Sequence, residues 1–235
     1  MSAPIDFHRF EALTFDCYGT LIDWERGIQD ALSVLLEGAT EVPSRQKLLE
    51  LFGRYESEAE HGSFKSYRQV LTAVALRMGA ACGLDPDRGR ADGFAASVGV
   101  WPPFPDTVDA LRALSERYRL AIVSNVDDDL FAKSADMLGV SFSEIVTAQQ
   151  VESYKPAPAH FLEALRRLDL PVERVLHVAQ SLYHDIAPAK QLGLTCVWVN
   201  RRAGRAGGGA TPPAVVTPDL EVPDLASLAR LVRAH

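Results

Sequence analysis

Residues 12–21 read Ala-Leu-Thr-Phe-Asp-Cys-Tyr-Gly-Thr-Leu, a short apolar run that ends in an acid. The run is bounded and rich in Phe, Leu and Thr, which predicts a buried strand of an α/β sheet. Gly19 then permits a tight turn, and Thr20 brings a hydroxyl that can hydrogen-bond nearby backbone or an anion. Because open α/β sheets bind ligands at the carboxyl ends of parallel strands, Asp16 has two interpretations, a turn cap or a catalytic carboxylate.

Composition restricts the class of protein. The chain has 235 residues, 47% of them hydrophobic, which suits one α/β domain or a core domain with an insertion. Its net charge of −7 and the lack of a basic stripe argue against nucleic acid or an anionic membrane as partner. No apolar run approaches the roughly 20 residues of a membrane span, and residues 1–10 lack a signal-peptide core. Three cysteines without metal-type spacing complete the expectation of a soluble, reduced, cytoplasmic protein.

Helical periodicity dominates the chain from residue 24 to about residue 78. One helix is predicted through residues 28–35, a second after Pro43 and Ser44, and a third through residues 67–76. Three helices without an intervening strand fit poorly to β-α-β alternation, so we interpret residues 23–99 as an inserted α-helical cap. A different interpretation is that these helices cover one face of the sheet.

Strand–helix alternation resumes after the stiff segment Trp-Pro-Pro-Phe-Pro at residues 101–105. Strands are predicted at residues 120–123, 145–146, 175–178 and 196–199, and an amphipathic helix closes the chain at residues 225–232. The Gly- and Arg-rich residues 201–209 predict a mobile loop. Residues 1–22 and 100–235 thus form the predicted core domain, an α/β doubly wound parallel sheet of Rossmann-like type.

Each predicted core strand ends in polar residues that could carry chemistry. In a parallel sheet these ends converge on one crevice, so together they predict a site. The residues are Asp16 and Thr20, Ser124 and Asn125, Lys155, and Asp185.

As a set, these motifs resemble those of the haloacid dehalogenase superfamily. The matching stretches are Phe-Asp-x-Tyr-Gly-Thr-Leu at residues 15–21, Val-Ser-Asn at 123–125, Tyr-Lys-Pro at 154–156, and Asp185. The resemblance covers about residues 10–200 and includes a helical cap in the expected place. It implies a Rossmann-like core and Asp16 as a covalent nucleophile.

Tyr18 distinguishes the branches of that superfamily. Its phosphatases resemble one another in carrying a second Asp at this position as general acid, whereas a phenol with a pKa near 10 is a poor proton donor. Halide leaves without a proton, and Asp-x-Tyr-Gly-Thr is similar to the 2-haloacid dehalogenase branch. Only Asp185, preceded by His184, is available as a further acid, so we expect no metal and no cofactor. Lys155 is expected to lower the pKa of Asp16 instead.

The mechanism implied by the resemblance has two steps. Asp16 attacks the α-carbon of a small 2-substituted carboxylate, most simply an (S)-2-haloacid, and water then hydrolyses the resulting aspartyl ester. Asp185, oriented by Lys155, is the expected base or water-positioning group. Thr20, Ser124, Asn125 and backbone N–H groups are expected to hold the ester oxygens or the substrate carboxylate, beside Tyr18.

Three positions depart from the branch. Its Ser-x-Asn pair before the last acid is replaced here by residues 179–185, where Ser181 or Gln180 could take the role, and Phe161 stands where a Tyr is expected. Arg54 is the candidate cap residue for the leaving halide, although it could equally be an exposed helix charge. His184 could shuttle a proton beside Asp185.

More than one function is compatible with the sequence. Residues 16–24 with residues 181–185 are also similar to the azetidine-2-carboxylate hydrolases of this branch, in which the same Asp opens a C–N ring. A phosphatase and a non-catalytic homologue are compatible with the sequence as well. The apolar cap residues Leu48, Leu51 and Phe52 have two possible destinations, the core or a second subunit in a homodimer.

Overall fold

The computed structural model describes residues 5–85, 87–204 and 209–234 and places a six-stranded, all-parallel sheet at their centre. The strand order is β3-β2-β1-β4-β5-β6, so β1 lies inside the sheet between β2 and β4. The direction in which strands are added reverses at β1, which is where doubly wound sheets place their ligands. The strands are β1 Ala12–Phe15, β2 Arg119–Ser124, β3 Glu144–Thr147, β4 Val175–Ala179, β5 Thr195–Val199 and β6 Leu220–Val222.

The helices fall into two groups. Four of the described helices follow β1 directly, and the other six, the first of which still precedes β2, lie among the later strands. The first group is α1 Trp24–Leu35, α2 Arg45–Glu60, α3 Tyr67–Ala81 and α4 Arg88–Ala96; the second is α5 Thr107–Ser115, α6 Asp128–Leu138, α7 Ala148–Val151, α8 Ala159–Leu168, α9 Ala187–Gln191 and α10 Leu225–Ala234.

The predicted α/β fold class is therefore confirmed, with five of the six described strands where the sequence predicts them. The sequence does not predict β6 and α4, because each is short and neither carries a strong hydrophobic period: α4 reads Arg-Gly-Arg-Ala-Asp-Gly-Phe-Ala-Ala. The division into a core and a cap at residues 23–99 remains a prediction.

Local capping explains where the first helices begin. Asp23 accepts a hydrogen bond from the backbone N–H of Arg26 at the start of α1, and Ser44 accepts one from Lys47 at the start of α2. Ser66 and Gln69 form a reciprocal capping box at the start of α3. These three helices thus begin at residues whose side chains satisfy otherwise unpaired N–H groups.

The apolar cap residues pack mainly inside the chain. Phe52 is fully buried, its ring 6.3 Å from that of Trp24, and Leu48 is buried while Leu51 is half-buried. Of the two destinations left open by the sequence, the chain's own core therefore accounts for Leu48 and Phe52. No described helix is both long and apolar enough to cross a bilayer.

Within the predicted loop at residues 201–209, residues 205–208 lie outside the described part of the chain. Arg201 donates to Asp106 at 2.7 Å and to the carbonyl of Thr20 at 2.9 Å, and Arg202 pairs with Glu25. Both arginine side chains are largely buried. The start of this loop is therefore anchored to the turn that follows β1.

Candidate active site

Three charged side chains meet at the carboxyl edge of the sheet. Lys155 Nζ donates to Asp16 Oδ1 at 2.9 Å and to Asp185 Oδ1 at 2.6 Å. A third hydrogen bond, 2.9 Å to the carbonyl oxygen of Val123, uses the remaining proton of the ammonium group. The end of β1, the loop after α7 and the turn after β4 supply these residues, so the parallel topology itself brings them together.

The three charged side chains differ in how much of each is exposed to solvent. The Asp16 side chain is 11% exposed, whereas those of Lys155 and Asp185 are each 1% exposed. Asp16 is thus the member of the triad whose carboxylate opens most into the neighbouring cavity. A nucleophile must reach its substrate, so the geometry favours Asp16 for that role.

A hydroxyl holds the second oxygen of Asp16. Thr20 Oγ1 donates to Asp16 Oδ2 at 2.6 Å and accepts a hydrogen bond from the backbone N–H of Gln180 at 2.9 Å. The incoming N–H leaves the Thr20 proton directed at Asp16. Gly19, at φ +96°, makes the tight turn between them, and an added Cβ there would lie 2.9 Å from Trp24 Nε1.

Ser124 and Asn125 have different positions at the end of β2. Asn125 accepts from the backbone N–H of Lys155 at 2.8 Å and donates to the Lys155 carbonyl at 3.2 Å. It therefore fixes the loop that carries the lysine. Ser124 Oγ is buried and has no hydrogen-bond partner among the described residues.

The turn after β4 supplies the second acid. Leu182–Ile186 forms one π-helical turn, a geometry frequent at functional sites, and Ser181 Oγ caps it by accepting the His184 N–H at 2.8 Å. His177 Nε2 lies 3.3 Å from Asp185 Oδ1, and its Nδ1 lies 2.9 Å from Thr14 Oγ1. His177 is fully buried and supports Asp185 from behind, a contact that its position inside a strand does not reveal.

The pKa values follow from burial and from the shared lysine. Burial alone would lower the pKa of Lys155, but the charges of Asp16 and Asp185 outweigh it and raise the net pKa. Burial opposes ionisation of Asp185, yet Lys155 and His177 bring its pKa down to about 2. For Asp16, burial and the charge of Asp185 outweigh Lys155 and Thr20, and the pKa is raised above its ordinary value.

Two expectations about titration need correction. Lys155 does lower the pKa of Asp16, as the sequence predicts, but desolvation and the charge of Asp185 outweigh it, so the net pKa is raised. The sequence also offers His184 as a titrating proton shuttle, but burial lowers its pKa to about 4, so the imidazole is neutral near pH 7. Burial likewise raises the pKa of Tyr18, whose hydroxyl lies 2.9 Å from Ser134 Oγ.

The triad opens into a small cavity of about 40 Å³, within an open pocket of about 430 Å³ that includes the space at its mouth. All the sequence-predicted site residues line this cavity except Thr20, which lies behind Asp16, and Arg54. The predicted residues at its wall are Asp16, Tyr18, Ser124, Asn125, Lys155, Ser181, His184 and Asp185.

Arg54 is the predicted residue that the structure does not bring to this cavity. Its side chain is exposed, its guanidinium lies 4.9 Å from the Tyr55 ring centroid, and it lines a separate surface groove with Gly209 and Ala210. The cavity-lining residue of the same helix turn is Glu56. Residues two apart on a helix point in nearly opposite directions, so Arg54 and Glu56 cannot both face the cavity.

Six further residues line the cavity. Sequence analysis singles out only one of them, Gln180, as a candidate replacement for the Ser-x-Asn pair. Four of the six belong to the predicted cap, where the helical pattern does not show which polar face meets the core. They are Trp24, Glu56, Glu60, Tyr67, Gln180 and Thr211.

Comparison with known proteins decides the family. A family model described as haloacid dehalogenase-like hydrolase matches residues 10–193. The chain belongs to the haloacid dehalogenase-like hydrolases. The family predicted from the four motifs is confirmed, and the protein is an enzyme of the hydrolase class.

Two dehalogenase relatives and one solved structure match this hydrolase along most of their length. It is 30% identical to haloacetate dehalogenase H-2 of Moraxella sp. (strain B), over 95% of this chain and 98% of that one. It is 26% identical to an (S)-2-haloacid dehalogenase of Pseudomonas putida, over 83% and 86%. A solved L-2-haloacid dehalogenase is 26% identical, with a TM-score of 0.81 over 96% of this chain and 100% of that one.

Proposed function

We propose that this hydrolase displaces a substituent from C2 of a small carboxylate through an ester on Asp16, with an (S)-2-haloacid as substrate. The observation that carries the proposal is the Asp16–Lys155–Asp185 triad, in which Asp16 is the member most open to the cavity. The similarity to dehalogenases that act on haloacetate and on (S)-2-haloacids supports this reaction class. Water and a small molecule are then the reaction partners.

In the first step, a carboxylate oxygen of Asp16 forms a bond to C2 while the C2–halogen bond breaks and the electron pair leaves with the halide. In the second, water adds to the ester carbonyl of Asp16, and the 2-hydroxy acid leaves with release of one proton. Lys155 and Thr20 hold different oxygens of Asp16. Whichever oxygen attacks, the other therefore keeps a donor that stabilises the oxyanion formed when water adds.

Asp185 and Ser124 take supporting roles in this proposal. With a pKa of about 2, Asp185 is a weak base and serves better to hold Lys155 and to position a water. Ser124 lines the cavity, and its Oγ is buried without a partner among the described residues. This hydroxyl can donate to the substrate carboxylate. Asn125 acts through the Lys155 loop.

The proposed reaction needs no metal ion. The two carboxylates that could bridge a cation, Asp16 and Asp185, are already bridged by Lys155, and His184 stands where a further acid would be needed. The described residues hold no group of three or more His, Cys, Asp or Glu side chains arranged to bind a metal ion. The donor set therefore fits a divalent ion poorly, and no step is assigned to one.

A substrate panel distinguishes this proposal from the competing functions. Purified protein is assayed with (S)-2-chloropropionate, L-azetidine-2-carboxylate and a set of phosphate monoesters. We expect chloride release from chloropropionate that is lost in Asp16→Asn. Hydrolysis confined to phosphate esters would contradict the proposal. Turnover of L-azetidine-2-carboxylate alone would favour C–N ring opening as the reaction. No turnover of any compound would favour a non-catalytic homologue.

A further inference from the structure

Two carboxylates line the cap side of the catalytic cavity. Glu56 and Glu60 are four residues apart on α2, so they share one helix face, and both line the cavity that Asp16 opens into. Two ionised carboxylates at this spacing would repel each other. The face presented to the substrate is thus acidic where a halide-binding arginine was expected.

The two carboxylates differ in their contacts. Glu56 is buried and accepts a hydrogen bond of 2.6 Å from the Tyr67 hydroxyl, which fixes its position. Glu60 has no hydrogen-bond or ion-pair partner within the part of the chain that the structure describes. One carboxylate is thus held in place, while the second is available to a ligand.

The cavity lining offers no free cation to Glu56 and Glu60 within the described part of the chain. Lys155 is committed to Asp16 and Asp185 through its hydrogen bonds, and His184 is neutral near pH 7. Burial raises the pKa of Glu56 to about 7 and that of Glu60 well above its ordinary value, with the charge of Glu56 adding to the effect on Glu60. An additional cation next to the pair would let both carboxylates ionise.

A second, independent observation comes from Ser124, which lines the cavity on its core side. The residue is 1% exposed, and its Oγ has no hydrogen-bond partner among residues 5–85, 87–204 and 209–234. Buried hydroxyls are nearly always hydrogen-bonded, so this one points to a polar group of a bound molecule. The cavity therefore offers a donor at its core end and two acceptors at its cap end.

We propose that Glu56 and Glu60 form a subsite for a protonated amino group, so that the preferred substrates are small zwitterionic carboxylates with a displaceable substituent at C2. A substrate with only a carboxylate gains no charged partner at the cap end, whereas an ammonium group favours ionisation of both glutamates and gains charge-assisted hydrogen bonds there. The inference rests on the proposed chemistry of Asp16 and adds the part of the substrate that the cap recognises.

Matched substrate pairs test the subsite. In 3-amino-2-chloropropionate and 2-chlorobutyrate, an ammonium replaces a methyl group of similar size, and 5-amino-2-chloropentanoate with 2-chlorohexanoate repeats the comparison on a longer chain. We expect kcat/KM for chloride release to favour the ammonium member of at least one pair by about tenfold to a hundredfold. Equal rates, or a preference for both neutral members, would overturn the proposal.

Variants on α2 locate the effect. Glu60→Gln and Glu56→Gln should each lower kcat/KM for the ammonium member about tenfold more than for its neutral partner. Glu58→Gln is the matched control, because Glu58 lies on the same helix, is exposed and pairs with Arg77. Equal losses on both members of a pair in the Glu56 and Glu60 variants would show a merely structural role.

A binding measurement separates this proposal from the reaction itself. Calorimetry compares 4-aminobutyrate with pentanoate, which lack a leaving group and so bind without turnover. Tighter binding of 4-aminobutyrate than of pentanoate, lost in Glu60→Gln, supports the subsite. If no chloroacid is hydrolysed in that case, only the proposed reaction is contradicted. If chloride is released but the two probes bind equally and the ammonium substrates are not preferred, the subsite is contradicted and the proposed reaction is still supported.

Discussion

The buried carboxyl of Glu56 gives a stability prediction with a defined sign. Glu56 is buried against the Tyr67 hydroxyl, and burial raises its pKa from an ordinary value of 4.5 to about 7. A carboxyl whose folded-state pKa is raised stabilises the fold below its unfolded pKa, and this contribution is lost as pH rises through the folded pKa. Glu56 therefore destabilises the native protein above about pH 7 relative to pH 4.

The magnitude follows from the two pKa values. Each pKa unit corresponds to roughly 1.4 kcal/mol, so the interval from 4.5 to about 7 corresponds to about 3 kcal/mol. Glu56→Gln removes the titration but keeps an oxygen that can accept from Tyr67. Relative to wild type, the variant should gain about 3 kcal/mol in free energy of unfolding between pH 4 and pH 8.

Urea unfolding at about pH 4 and about pH 8 measures this difference. Subtracting wild type from variant at each pH isolates Glu56 together with its effect on Glu60, whose pKa the Glu56 charge raises, and both effects have the same sign. Glu58→Gln is the control, because Glu58 is exposed and its pKa is lowered by Arg77, and it should show no gain at the higher pH. A Glu56→Gln protein that gains nothing there, or loses stability, would show that Glu56 ionises freely in the native state.

Three further predictions concern the triad and Thr20, which donates to it. Lys155→Met should reduce turnover by about a thousandfold or more, since it removes the charge shared by Asp16 and Asp185. Urea unfolding should show that it also lowers the free energy of unfolding by about 3–5 kcal/mol near neutral pH. Near-normal turnover would contradict the role of Lys155. Thr20→Val, nearly isosteric at a fully buried position, should lower kcat by about a hundredfold to a thousandfold with the circular dichroism spectrum unchanged, and unaltered kcat would exclude the hydroxyl from the reaction. Chloride release should persist in excess chelator, because Lys155 already bridges the two carboxylates; activity that is abolished by chelator and restored by Mg²⁺ would refute a metal-independent site.

Much of the core could be predicted because its signals are local. The apolar run of β1 and those of β2, β4 and β5 are buried strands whose composition shows them directly, and the parallel topology then brings Asp16, Lys155 and Asp185 together without further information. Side chains at strand ends have few directions in which they can point. This is why the motif residues of the core reappear around one cavity.

The helical segment at residues 23–99 could not be predicted to the same depth. A helical period shows that Leu48 and Phe52 share a buried face of α2, but it does not show which polar residue of that helix meets the catalytic cavity. Charge alone favours Arg54, yet the orientation of the helix places Glu56 and Glu60 there instead. Net pKa shifts are similarly beyond the reach of sequence, since they depend on how burial and one shared lysine balance at two carboxylates.

The covalent role of Asp16 is the central claim, and isotope labelling tests it most directly. The protein, in molar excess over (S)-2-chloropropionate, completes a single turnover in ¹⁸O water, and the peptide containing residues 12–21 is analysed by mass spectrometry. An aspartyl ester hydrolysed at the carbonyl of Asp16 predicts one ¹⁸O in the Asp16 side chain and unlabelled oxygen in the product hydroxyl. Label in the product hydroxyl with none in Asp16 would contradict the ester and show that water attacks the substrate itself.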